Sequence, residues 1–209
     1  MSLTHFSTKE RLLSVAEQLF AEHGFAATSL RQLTAQADVN VAAVNYHFGS
    51  KENLITEVFR RRLDELSERR LGALAVAVQA DPTDIEGILA AFIRPAMQLG
   101  IEGEGAAAFV RVLARAYAEK NERLRRFLAD NYGHVLREFA RALQQGLPNL
   151  PKPDLYWRLD FIAGALTYAM ADFGLIRRPA STSEQRHCEL AADNLLRFAV
   201  AGFRAPSAA

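Results

Sequence analysis

Between residues 41 and 51 this chain gathers small apolar, amide, phenol, imidazole and ammonium groups on one short stretch. Val41, Ala42 and Ala43 are slim enough to let a helix approach a surface closely, and apolar groups of this kind can contact a thymine methyl. Asn45 can bond a base edge or a phosphate, Tyr46 and His47 can reach phosphates, and Lys51 adds a positive charge at the start of the next helix. The free N–H groups of such a helix start also bind phosphate. Arg31, ten residues upstream, can reach a phosphate or a guanine edge. These are the groups of a helix-turn-helix that reads double-stranded DNA. The rest of the chain offers no competing chemistry: no nucleophile with a partner base, no metal-spaced His/Cys cluster and no glycine-rich phosphate loop. Asp154, Asp160 and Asp172 share a helical segment but not one face at metal-ligand spacing. No enzymatic activity, cofactor or metal site is expected.

The elements that must position these groups are all helical, and no segment alternates as a strand does. Ser7 and Glu10 have capping-box spacing, and Leu12, Leu13, Ala16, Leu19 and Phe20 form the apolar stripe of a first helix that ends at Gly24. Thr28 is the expected cap of a second helix, with Leu30, Leu33 and Ala37 inward. Asp38 and Val39 make the turn, because Asp tolerates the left-handed conformation such turns use. Asn40 caps a third helix with Val41, Val44 and Phe48 spaced for the core. Gly49 stops it, and Ser50 caps a long fourth helix to about residue 79.

Further on, Asp81-Pro82-Thr83-Asp84 reads as a helix start with Asp81 as cap, and Pro95 is expected to kink the helix that follows. Helices are then expected over about 105–119, 121–146, 154–177 and 184–203, the last with Ser181 and Glu184 at capping-box spacing. The fold class is all-α: a three-helix head followed by a larger helical bundle.

With 25 Lys and Arg against 24 Asp and Glu, the whole chain carries no charge argument for nucleic acid. Up to residue 59 the balance is slightly acidic, with Lys9, Arg11, Arg31 and Lys51 facing Glu10, Glu17, Glu22, Asp38, Glu52 and Glu57. One cysteine, Cys188, allows no internal disulfide and suits a reducing cytoplasm. Neither a signal-peptide pattern nor a membrane-length apolar run is present, so no membrane partner is expected.

The segment 46–52 (Tyr46, His47, Phe48, Gly49, Ser50, Lys51, Glu52), with Leu12, Ala16, Leu19, Phe20, Gly24, Phe25, Thr28, Ser29, Leu30, Leu33, Ala37, Val39 and Leu54, resembles the TetR family of bacterial transcriptional repressors. The resemblance covers about residues 7–58. It implies a homodimer with a palindromic operator, and it places Thr28, Arg31, Val41, Ala42, Ala43, Asn45, Tyr46, His47 and Lys51 at the DNA. It divides the chain into a DNA-binding domain, 1–52, and a ligand-binding and dimerisation domain, 53–209. In such regulators the dimer forms through the last two long helices, here near 154–177 and 184–203. Asp38, where glycine is common, is a departure. Residues 42–51, with Arg115-Ala116-Tyr117 and 156–159, are also similar to the PsrA-type subgroup, which implies a fatty acid or acyl-CoA effector.

In the body, Leu155, Leu159, Ile162, Leu166, Met170 and Phe173 make one apolar side of a helix, and Trp157, Phe161, Gly164, Ala165, Tyr168 and Ala169 make another. A helix apolar on two sides is buried on two sides, once in its own bundle and once against a partner subunit. A small-molecule effector, apolar in character, is expected among Phe92, Met97, Phe109, Leu113, Tyr117, Trp157, Phe161 and Tyr168, although the same stripes suit plain core. Arg111 and Arg115, one turn apart, suit either an anionic ligand group or solvent. The alternative to a regulator is a helical lipid-binding or adaptor module without specific DNA recognition.

Overall fold

The computed structural model describes residues 7–102, 105–119, 121–171 and 178–207, apart from the side chains of Tyr117 and Ala118. Among them the elements are α1 (Thr8–His23), α2 (Leu30–Gln36), α3 (Val41–Phe48), α4 (Lys51–Ala80), α5 (Ile85–Leu99), α6 (Ala106–Ala118), α7 (Glu122–Gly146), α8 (Lys152–Met170) and α9 (Glu184–Arg204), with no strand. No helix among the described residues is long and apolar enough to cross a membrane.

The chain divides into two compact units, Met1–Asp64 with Glu104–Phe127, and Glu65–Gly103 with Leu128–Ala209. The first therefore extends well past residue 52. It takes in the first half of α4, all of α6 and the opening of α7. Its core is a run of rings, Phe20 to Phe25 to Phe59 to Phe109, with centroids 5.4, 6.2 and 6.0 Å apart. Leu12, Leu33, Val44 and Leu54 are fully buried around them. α6 lies along α1. Buried with this core is an ion pair, Arg62 Nε donating to the Glu17 carboxylate at 3.1 Å. Burial raises the Glu17 carboxyl above its ordinary value of 4.5, against the pull of Arg62.

In the second unit α9 packs on α5 and α8. Phe92 meets Phe139 edge-on at 5.1 Å, and the Arg70 guanidinium lies 3.8 Å over the Phe92 ring while its Nε donates to the Phe92 carbonyl. Leu155, Leu159, Ile162 and Leu166 of α8 and Ala192, Leu196, Ala199 and Phe203 of α9 are buried.

Helix starts obey local chemistry, with several shifts from the expected caps. Ser7 and Glu10 form the expected box, the Ser7 hydroxyl accepting from the Glu10 N–H at 3.2 Å and the Glu10 carboxylate accepting from the Ser7 N–H at 2.9 Å. These bonds lower the Glu10 carboxyl below its usual range. α5 is capped by Asp84, not Asp81; Asp81 instead closes the preceding turn by accepting from the N–H and hydroxyl of Thr83. α5 continues through Pro95 to Leu99. α9 is capped by Ser183, whose hydroxyl accepts from Arg186 N–H, so a simple cap two residues later stands in place of the expected Ser181–Glu184 box. α8 begins at Lys152, earlier than expected. The expected continuation through Phe173 to residue 177 lies outside the described residues.

Candidate DNA-reading surface

The recognition helix is built by three local devices. Asp38 takes a left-handed φ of 51° in the turn. The Asn40 amide oxygen accepts from Ala42 N–H at 2.9 Å and starts α3. Gly49, at φ +74°, stops it with its N–H on the Asn45 carbonyl. A residue with a Cβ would be strained there, and the reversal lets Ser50 cap α4 by accepting from Asn53 N–H.

The result is a short helix with two faces. Val44 and Phe48 point into the core, while Val41, Ala42, Asn45 and Tyr46 are exposed and Ala43 and His47 half-buried. Val41, spaced to face inward, is exposed instead, because a residue at the first helical position lies at the edge of the core. Tyr46 is 86% exposed, an uncommon position for an aromatic side chain without a partner. Its ring meets His47 edge-on at 5.0 Å. Arg31 stands exposed on α2, and Lys51 is half-exposed in the first turn of α4.

Thr28 does not belong to this surface. It is 1% exposed, and its hydroxyl donates to the carbonyls of Gly24 at 2.8 Å and Leu19 at 3.3 Å. Ser29 caps α2 in its place, accepting from Gln32 N–H. Thr28→Val keeps the shape but removes the donor. We expect it to cost about 1 kcal/mol of stability, read by urea denaturation, with affinity for DNA unchanged.

Two contributions were invisible in the linear sequence. First, α6 and the start of α7 bring Arg111, Arg115, Arg123, Arg125 and Arg126 into the first unit, whose 13 Lys and Arg against 10 Asp and Glu give it a net charge of +3. The acidic balance of residues 1–59 is thereby reversed, and Glu17 and Glu57 are already engaged by Arg62 and by Lys9 and Arg60. Second, Arg115 grips the end of α1, its guanidinium donating to the carbonyls of Ala21 and Glu22 at 2.9 and 2.8 Å. Arg115, expected to meet either an anionic ligand group or solvent, instead commits Nε and Nη2 to this helix end.

The residues expected to line an apolar pocket are distributed over both units. Phe109 and Leu113 belong to the first unit, and Phe92 is packed between Arg70 and Phe139. Met97 lines a small cavity of about 100 Å³ with Ile101, Met170, His187 and Cys188. Trp157, Phe161 and Tyr168 are more than half exposed. The Tyr117 side chain lies outside the described residues.

Residues 12–58 match the family model of bacterial regulatory proteins, tetR family, and residues 90–202, more than half of the chain, match that of the tetracyclin repressor-like C-terminal domain. The chain belongs to the TetR family. Among its relatives, the HTH-type transcriptional regulator AcrR of Shigella flexneri is 36% identical over 73 residues, 35% of this chain and 32% of that protein. The HTH-type transcriptional repressor KstR2 of Rhodococcus jostii is 38% identical over 58 residues, 28% of each. The chain thus spans between about a quarter and two fifths of the curated relatives it matches. A solved structure of the TetR family regulator PfmR from Thermus thermophilus shares the fold, with a TM-score of 0.64 at 22% identity, covering 98% of this chain and all of that one.

Proposed function

We propose that this chain is a sequence-specific DNA-binding repressor that acts as a two-fold dimer on a palindromic operator and is released by a small apolar effector. The observation that carries the DNA-binding reading is the outward face of α3, where Tyr46 stands 86% exposed beside Val41, Ala42 and Asn45 on a helix otherwise anchored by Val44 and Phe48. Small apolar groups, an amide and a phenol on a rigid helix suit base edges and phosphates of the major groove.

The dimer reading rests on a second surface. On α8, Trp157, Phe161 and Tyr168 recur at near-helical spacing and are 61%, 63% and 53% exposed. At Gly164, in the same stripe, a Cβ would meet nothing within 4 Å. On α9, Leu190 and Phe198 are exposed likewise, with open space again at Gly202. An exposed aromatic stripe with small residues between the rings is a surface built to be covered, and two such helices on each protomer suit an isologous contact.

For the effector, a groove of about 430 Å³ between the end of α7 and the start of α8 has the right size for a small ligand. Ala140, Leu155 and Tyr156 give it an apolar lining, and Arg137, Arg141 and Lys152 add positive charge. Arg141 is shared with Glu138 at 2.6 Å. An apolar chain with an acidic head, such as a fatty acid, suits that lining.

The DNA reading is tested by substituting the surface without touching the core. Lys51→Ala is expected to weaken binding to all duplexes and to lower the salt slope of the dimer by about 2, one per subunit. Tyr46→Ala is expected to cost about 1–3 kcal/mol per half-site on the preferred sequence. Fluorescence anisotropy with labelled duplexes measures both. Variants that fold and bind as the wild type would remove α3 from the interface.

A further inference from the structure

The corner between α6 and α7 holds the helix-turn-helix at both of its ends. At the entry, the Glu119 carboxylate accepts from Phe25 N–H at 3.2 Å, in the link that leads from α1 to α2. Gly24 makes room for that carboxylate, since a Cβ at residue 24 would lie 2.5 Å from Glu119 Oε1. At the exit, Arg123 Nη2 donates to Asn53 Oδ1 at 2.8 Å. The same Asn53 turns its amide Nδ2 back to the Phe48 carbonyl at 2.9 Å. Phe48 is the last residue of the recognition helix, and its carbonyl is one of those a helix end leaves without an internal partner.

An amide that accepts from a guanidinium at one end is polarised to donate more strongly at the other. The pair also fixes the amide's orientation: with Arg123 on Oδ1, Nδ2 must face Phe48. Asn53 lies in the first turn of α4, two residues from Lys51, and its backbone N–H is held by Ser50. The orientation of α3 relative to α4, and so of the DNA-reading face relative to Lys51, is therefore set in part by a side chain 70 residues further along the chain.

We infer that Arg123 is a positioning residue for DNA recognition, acting through Asn53 on the end of the recognition helix rather than on DNA. The inference rests on the DNA-binding reading above. It differs from a phosphate contact in what it predicts. A phosphate contact weakens all duplexes alike and lowers the salt slope, whereas a positioning residue reduces discrimination and leaves the slope unchanged.

The test uses the full chain and a duplex that the wild type enriches from a random pool, with a scrambled duplex as control. Arg123 is exposed, so Arg123→Ala is expected to fold. We expect it to weaken the selected duplex about tenfold, with the scrambled duplex and the salt slope unmoved. Asn53→Ala is expected to give a similar loss, and the double variant to lose no more than Asn53→Ala alone, because the two residues act in series. Wild-type discrimination in Arg123→Ala, a uniform loss with a smaller slope, or additive losses in the double variant would each overturn the inference while leaving the DNA-binding reading intact. A wild-type chain that enriches no duplex would overturn that reading, and the inference with it.

Discussion

Phe161→Glu combined with Phe198→Glu is expected to convert the proposed dimer into a folded monomer. Both rings are about two-thirds exposed in the single chain, so charging them disturbs no core. In a two-fold interface each substitution occurs twice, and each buried aromatic anchor carries on the order of 2 kcal/mol or more. Two copies of one substitution thus raise the dissociation constant by roughly a thousandfold, and the double variant by more. Sedimentation velocity at micromolar concentration reads the result directly, with circular dichroism as the control for folding. Affinity for a two-half-site duplex is expected to fall with the loss of the dimer. A double variant that still sediments as the wild type would move the interface off α8 and α9.

Arg62→Met is expected to destabilise the first unit by about 3–5 kcal/mol. Arg62 and Glu17 are both nearly inaccessible, so removing the guanidinium leaves a buried carboxylate without its counter-ion. The pH dependence has a definite sign. Burial already holds the Glu17 carboxyl above its ordinary 4.5, and loss of Arg62 raises it further. A carboxyl whose folded value lies above its unfolded one favours the fold most below the unfolded value, and this contribution is lost as pH rises through the folded value. The deficit of Arg62→Met relative to wild type is therefore smallest in acid and grows toward neutrality. Replacing both partners, Arg62→Met with Glu17→Leu, removes the stranded charge and is expected to recover most of the stability. Urea denaturation of the wild type and both variants at several pH values checks the series. A single variant as stable as wild type at neutral pH would show that the pair is not the tie described here.

Most of the helix-turn-helix was legible because its signals are local. The Ser7–Glu10 box, the Asp38 turn, the Asn40 cap and the Gly49 stop each depend on groups within a few residues, and each occurs where the sequence places it. Thr28 shows where local reading fails. Thr28 and Ser29 are adjacent and chemically alike, and only burial of Thr28 against Leu19 and Gly24 decides which of them caps α2. The same ambiguity moved the cap of α5 from Asp81 to Asp84. The charge of the head was illegible for a different reason: its arginines arrive from α6 and α7, after the chain has left the first unit and returned. Arg115 and Arg123 find partners about 94 and 70 residues away, and no spacing rule anticipates such contacts. The aromatic residues of α8 were visible as a stripe, but periodicity cannot distinguish a pocket wall from a face awaiting a partner. Exposure separates them, and it assigns Trp157, Phe161 and Tyr168 to an outer face.

Selection of randomised duplexes by the purified chain, at a stated moderate salt and with and without a fatty acid, tests the central claim most directly. The account predicts enrichment of one palindrome with half-sites about one helical turn apart, bound by two chains and released by the acyl ligand. A well-folded chain that enriches no sequence would contradict it and favour a helical lipid-binding or adaptor module that keeps the head only as structure.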